Sequence, residues 1–361
     1  MATTEGMKGG GFYDAHSSVQ RAAMEEFLPW IEEAIADLPL SRDPQAPIGL
    51  LDIGSSEGGN AILGMNRLIT RCREQSDRPI WACFDDLPTN DFNRLFLNLF
   101  SGQAPALSGP HIFPCAIGAS AFGPVVPPQT IHVATTYNAI AFLETKPDTR
   151  LPQFIMPMTP GPLAPRAGVS VSEAERAPFA RQAAKDLSKF YQARVDELVS
   201  GGKLLIQVFG RDERYSTSFG LYDVLSDAIL DLTEEGVLPR SYYKGLVFPI
   251  YFRNLEELLA PVKTIDRLRQ SFRVEKADSR ETSVPFNEQL AATGNVAAWV
   301  SSYTGFLRAF TESIAGSALP EGRSRSEILD HIYGRVEQRL TNDPARYEHH
   351  YISVAALLTR L

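Results

Sequence analysis

Residues 48–60, IGLLDIGSSEGGN, decide how this chain is read. A short apolar run, IGLLDI, stops at a glycine turn, and the residues that follow, AILGMNRLITRCRE, carry helical spacing. Strand, glycine turn and helix in that order open a nucleotide-binding α/β unit. Such sheets bind ligands at the carboxyl ends of their strands, which puts Asp52, Gly54, Gly58 and Asn60 where an adenosyl group would lie. A second run, IWACF at 80–84, stops at Asp85 and Asp86, and a carboxylate there can accept hydrogen bonds from both ribose hydroxyls. Together the two features indicate adenosine. Glu57 in the turn argues against a dinucleotide, whose pyrophosphate it would repel. A cationic sulfonium meets no such objection.

Working outward, residues 17–38 place Val19, Met24, Phe27, Ile31, Ile35 and Leu38 at mostly helical spacing, which predicts an amphipathic helix on a core. TIHVATTYNAIAF at 130–142 predicts a third strand, and KLLIQVF at 203–209 a buried fourth. Between them, Pro147, Pro152, Pro157, Pro160, Pro162 and Pro165 mark a long loop. A helix is expected from Ser172 to Val199, with Phe179, Ala183, Leu187, Phe190 and Leu198 on one face and Gly201-Gly202 ending it. SFRVEKAD at 271–278 and YISVAALL at 351–358 supply two late strands. Alternating strands and helices predict an α/β fold with a mostly parallel sheet covered on both faces. The expected organisation is an α/β core over 1–211, helical cap segments at 212–262 and 285–345, a core strand region at 263–284 and a last core strand at 346–361.

The 361 residues are 44% hydrophobic and 22% charged, enough for one elaborated domain. A formal charge of -8 argues against nucleic acid as a partner. Cys72, Cys83 and Cys115 show no metal or disulfide spacing. No signal peptide and no apolar stretch of membrane-spanning length is present, so no membrane partner is expected and the location is read as cytoplasmic. His349 and His350 are adjacent and cannot both face one metal from a strand, and His132 reads as structural, so no metal is expected.

FYDAHSSVQ at 12–20, DIGSSEGGN at 52–60 and DLPTNDFN at 86–93 resemble strings of the SABATH carboxyl methyltransferases. FYDAHSSVQ is similar to the family's SYxxNSxxQ, and DIGSSEGGN to its DLGCSSGPN. DLPTNDFN matches the family's DLPxNDFN intact. SAFGPVVP at 120–127 resembles SFYGRLFP, and FARQAAKDLSKFYQARVDEL echoes the family helix at Gln182, Asp186, Phe190, Arg194 and Glu197. GGKLLIQVFGR and FPIY follow in family order.

The resemblance implies a Rossmann-like class I methyltransferase sheet with a mostly helical cap, and S-adenosyl-L-methionine as cofactor. It implies cofactor contacts from Tyr13, Ser17, Asp52, Gly54, Asn60, Asp86, Leu87, Ser120 and Ala121. It further implies that Gln20 orients the carboxylate of a small organic acid, in a pocket bordered by Tyr137, Ile140, Ala141, Tyr222, Tyr251 and Tyr351. Ala141 departs from the family, which carries a carboxylate-binding Trp there. The implied reaction is methyl-ester formation on an aromatic, hormone-like or fatty acid. The alternative is N-methylation of a heterocycle, for which the missing Trp is the argument. Because carboxylic acids are ionised at pH 7, no general base is required, and the chain shows no catalytic dyad. Family members are often homodimers, which leaves that state open here.

Overall fold

The computed structural model describes residues 6–40, 46–102, 104–151, 153–319 and 323–361; Pro152 of the expected loop and the first five residues lie outside them. Seven strands form one sheet: β1 Ile48–Ile53, β2 Ile80–Asp86, β3 Ile112–Gly118, β4 Ile131–Tyr137, β5 Leu198–Phe209, β6 Phe272–Thr282 and β7 Tyr351–Arg360. Their order is β3-β2-β1-β4-β5-β7-β6. The first five run parallel, and β7 is antiparallel to both β5 and β6. β1 is buried along its whole length because helices cover both faces, which is why it reads as an apolar run without alternation.

One face carries helices Ser18–Ala34, Gly59–Arg73 and Phe92–Leu99, whose Met24, Phe27, Ile62, Met65 and Leu95 join Ile48, Leu50 and Phe84 of the sheet. The other carries helix Glu173–Glu197, with Leu187 and Phe190 against Leu51, Ile53 and Ile206. Ser172 begins that helix by a reciprocal cap: its Oγ accepts the Glu175 N–H and Glu175 accepts the Ser172 N–H at 2.7 Å. The helix stops at Glu197 rather than at Gly201-Gly202, because β5 starts at once with Leu198 and takes both glycines into the strand. There Gly201 sits at φ 86° against Pro39.

Strand β3 has no counterpart among the sequence expectations. Pro114 lies inside it, and proline is tolerated there because β3 is a sheet edge with no ladder partner on its outer side. A separate core joins helices Leu221–Glu234, Val296–Ser317 and Arg323–Asn342 around Tyr222, Phe248, Tyr303 and Tyr333, forming the cap. Helix Leu255–Thr264, within the expected first cap segment, packs its Leu258, Leu259 and Val262 with the sheet core instead. Among the described residues no helix is long and apolar enough to cross a membrane.

Candidate active site

The carboxyl ends of β1 to β5 open into a cleft with about 840 Å³ of empty space, open solvent included, whose lining also takes in the cap residue Phe310 and Met7 of the N-terminal segment. Gly54 and Ser56 follow β1, Asp85 to Leu87 end β2, Ala119 to Phe122 follow β3, and Tyr137 to Ala139 end β4. A smaller adjoining pocket shares Tyr13, Gln20, Gly54, Ser56, Tyr137 and Asn138 and adds Asp52 and Asn60.

The glycine turn is held from two sides. Gly54 stands at φ 86°, and a Cβ there would come within 2.3 Å of the Ala139 Cβ, so no side chain fits. Ser56 is itself left-handed at φ 50°, which turns its N–H onto the Asp86 Oδ2 at 2.7 Å. Asn90 donates to the Ser56 carbonyl at 2.7 Å. The DLPTNDFN string thus clamps the turn as well as ending β2. Asp86 also accepts the Leu87 N–H at 2.7 Å. Asp52 is buried and accepts the hydroxyls of Thr135 at 2.8 Å and Ser55 at 3.0 Å.

Burial pushes the carboxyls of Asp52 and Asp86 up to about 6. Asp85, buried and facing the charge of Asp86, is pushed up to about 8, and neither of its oxygens has a well-formed hydrogen bond within the protein. Three acids therefore converge here, and among the described residues no lysine or arginine lines the cleft; Arg194 behind it draws Asp85 down only in part and is itself paired with Glu197, and Glu144, also in the lining, is paired with Lys189. This donor set fits a cationic, hydroxyl-bearing adenosyl ligand and suits a diphosphate poorly.

Of the residues expected around such a ligand, Tyr13, Gly54, Asp86, Leu87, Ser120 and Ala121 line the cleft, and Asp52 and Asn60 the adjoining pocket. Ser17 instead accepts from the Asn60 side chain at 3.1 Å, so these two brace each other. Glu57 does not face the turn; its carboxylate accepts the Gly11 N–H at 2.5 Å. Gln20 and Tyr137 line the cleft, with Gln20 Oε1 and the Tyr137 hydroxyl buried and without a well-formed hydrogen bond within the protein.

The remaining expected pocket residues lie behind the lining. Ile140 points into the sheet core and Ala141 into the cap core. Tyr222 is fully buried behind Phe310, their ring centroids 6.5 Å apart. Tyr251 packs with Leu143, Phe154 and Phe179, and its hydroxyl donates to Glu257 at 2.8 Å. Tyr351 reaches the site only through its hydroxyl, which donates to Asn138 Oδ1 at 2.9 Å. The lining that sequence missed includes Met7, Asn138, Phe142, Leu143, Glu144, Phe209 and Phe310; of these the position of Asn138, directly after the apolar strand run, carried a signal. Arg194 and Glu197, legible in the helix pattern, form a buried ion pair that braces the lining loop: Arg194 donates to the carbonyls of Ala121 and Gly123, and Glu197 accepts the Val125 N–H.

The sheet order, the adenosyl-type acid set at its switch point and the helical cap define a class I methyltransferase. The chain matches the SAM dependent carboxyl methyltransferase profile over residues 2–361 and belongs to that family; its methyl donor is S-adenosylmethionine. It is 24% identical over 369 residues to a probable jasmonic acid carboxyl methyltransferase 1 of Theobroma cacao, covering 96% of this chain and 95% of that protein. To gibberellic acid methyltransferase 2 of Arabidopsis thaliana it is 29% identical over 268 residues, 69% of this chain and 68% of that one. A solved loganic acid methyltransferase with S-adenosylhomocysteine has the same fold, at a TM-score of 0.75 and 22% identity over 98% of each chain.

Proposed function

We propose that the acid methylated by this enzyme has a bulky, apolar, ring-bearing body. The supporting observation is the cleft's aromatic wall: Phe142 and Phe209 meet edge to face with centroids 6.2 Å apart, and Phe122, Phe310, Met7 and Leu143 add apolar surface to a lining that otherwise carries Asp85, Asp86 and Glu144. Rings pack on such a wall with a gain beyond their buried area. Relatives named for jasmonic, gibberellic, benzoic and salicylic acids agree with this class.

When bound, S-adenosylmethionine supplies an electrophilic methyl on a cationic sulfur. We assign Asp86 to the ribose hydroxyls and Ser120 and Ala121 to the adenine. Asp52 and Tyr13 are assigned to the methionyl end. Gln20 orients the substrate carboxylate toward the methyl. The acid arrives ionised, so the residues need move no proton; they align oxygen with carbon and exclude water. Neutral donors orient the anion without quenching its charge. A cytoplasmic location is proposed on the three free cysteines, which suit a reducing compartment.

The test is methyl transfer from labelled S-adenosylmethionine across benzoate, salicylate, jasmonate, indoleacetate and straight-chain fatty acids. Preference for the ring-bearing acids is expected. Preference for the straight chains overturns the substrate class, and methylation of heterocyclic nitrogen alone overturns the carboxylate reading.

A further inference from the structure

The cleft has to hold a carboxylate, yet no lysine or arginine among the described residues lines it. Neutral N–H and O–H donors must therefore meet the anion. Ala141 offers only a methyl, and that methyl is buried in the cap core.

Three residues earlier stands Asn138. Its backbone is left-handed, φ 65°, a conformation asparagine adopts more readily than most other side chains. Its side-chain oxygen accepts two hydrogen bonds, one of them from a group that can only donate. The donors are the Phe209 N–H at 2.7 Å and the Tyr351 hydroxyl at 2.9 Å. A backbone N–H cannot accept, so the orientation of the amide is decided, and Nδ2 points away from that anchor. Nδ2 is buried without a partner, and Asn138 lines both the cleft and the adjoining pocket together with Gln20. A buried donor with no acceptor is uncommon in folded proteins and marks a place where a ligand's acceptor belongs.

We propose that Asn138 Nδ2 is a second donor to the substrate carboxylate, standing beside the Gln20 amide in place of the indole absent at Ala141. Tyr351 is a positioning residue that keeps the Asn138 amide turned nitrogen-first to the cleft. The proposal rests on the carboxyl-methylation reading above.

Steady-state kinetics with benzoate and jasmonate, S-adenosylhomocysteine binding by calorimetry and thermal melts would be compared for wild type, Asn138→Asp, Asn138→Gly and Tyr351→Phe. Asn138→Asp keeps an anchored oxygen for Phe209 and Tyr351 while exchanging the donor for an anion. Asn138→Gly keeps the left-handed backbone should the aspartate variant misfold. Losing a hydrogen bond to a charged group is expected to lower kcat/KM for the acid about 10- to 100-fold, through KM, with cofactor-product affinity within about twofold of wild type. Tyr351→Phe is expected to lower kcat/KM in the wild-type background and to have no further effect in Asn138→Gly. Unchanged acid kinetics in a folded Asn138 variant overturn the proposal, as does an equal loss of S-adenosylhomocysteine affinity. A wild type that binds S-adenosylhomocysteine but methylates no acid removes the underlying reading; an active wild type with unaffected variants removes this proposal alone.

Discussion

Glu57 and Asp14 cap each other's helices. The Glu57 carboxylate accepts the Gly11 N–H at 2.5 Å and the Asp14 N–H at 3.3 Å, at the start of helix Phe12–His16; Asp14 Oδ1 accepts the Gly59 N–H at 3.0 Å, at the start of helix Gly59–Arg73. Asn98 ties the joint by donating to Asp14 Oδ2 at 2.7 Å and to the Glu57 carbonyl at 2.8 Å. The segment bearing Tyr13 and Gln20 is thereby clamped onto the glycine turn. Asp14→Ala is expected to cost about 1–2 kcal/mol of stability, the usual worth of such a cap, and to weaken S-adenosylhomocysteine binding as the segment loosens. Thermal unfolding and calorimetry check both; a destabilised variant with unchanged affinity would mean the segment does not help form the cofactor site.

Gly54→Ala meets two obstacles at once. The left-handed backbone costs roughly 1–2 kcal/mol for a side-chain-bearing residue, and overpacking against Ala139 adds about 1–3 kcal/mol. Adding Ala139→Gly should recover the second part only. Chemical denaturation of the single and double variants measures the split, and full recovery in the double variant would show that φ is not limiting.

Gln20→Ala should lower turnover and raise KM for the acid while leaving S-adenosylhomocysteine affinity nearly unchanged, because its buried amide lines the cleft beside Tyr137 and Asn138. Equal kinetics in the variant would remove Gln20 from the carboxylate site.

The cleft acids make stability depend on pH. Asp85, raised by burial and by Asp86 to about 8, keeps its proton in the folded state where the unfolded chain, near 3.8, has already released it. The folded state is therefore favoured less as pH rises, until pH passes about 8. Asp52 and Asp86 act in the same sense only up to about 6, while buried His349, lowered to about 3, acts oppositely below 6.5. From 6.5 to 8 Asp85 is the one of these cleft acids still titrating, while the Cys115 thiol, lowered by its hydrogen bond with Cys83, acts in the opposite sense. Apo-enzyme melting temperature is expected to fall across this range, and Asp85→Asn to flatten the slope. A cationic ligand favours the ionised acids, so S-adenosylmethionine should bind more tightly at pH 8 than at pH 6. A flat or falling affinity would contradict the acid set as a cation site.

Much of this protein was written locally. The unbroken apolar runs of β1 and β2, the Gly54 turn and the DLPTNDFN string each encode their structure within a few residues, so the sheet, its covered faces and the turn at the mouth of the cleft were legible. Strand β3 was not, because Pro114 suppresses a strand reading that only its place at the sheet edge permits. Ile140, Ala141 and Tyr251 stand in sequence register with pocket positions, yet register along a chain does not say which way a side chain turns. The end of β4 turns at Asn138 and buries Ile140 and Ala141 on either side. Asn138 acquires its orientation from Phe209 and Tyr351, 71 and 213 residues away. Those hydrogen bonds exist only once β4, β5 and β7 lie side by side. Local pattern therefore determined the fold and the residues that end β1 and β2 at the cleft. The Asn138 side of the cleft was decided by tertiary packing, because its amide is aimed by partners that the chain brings near only when folded.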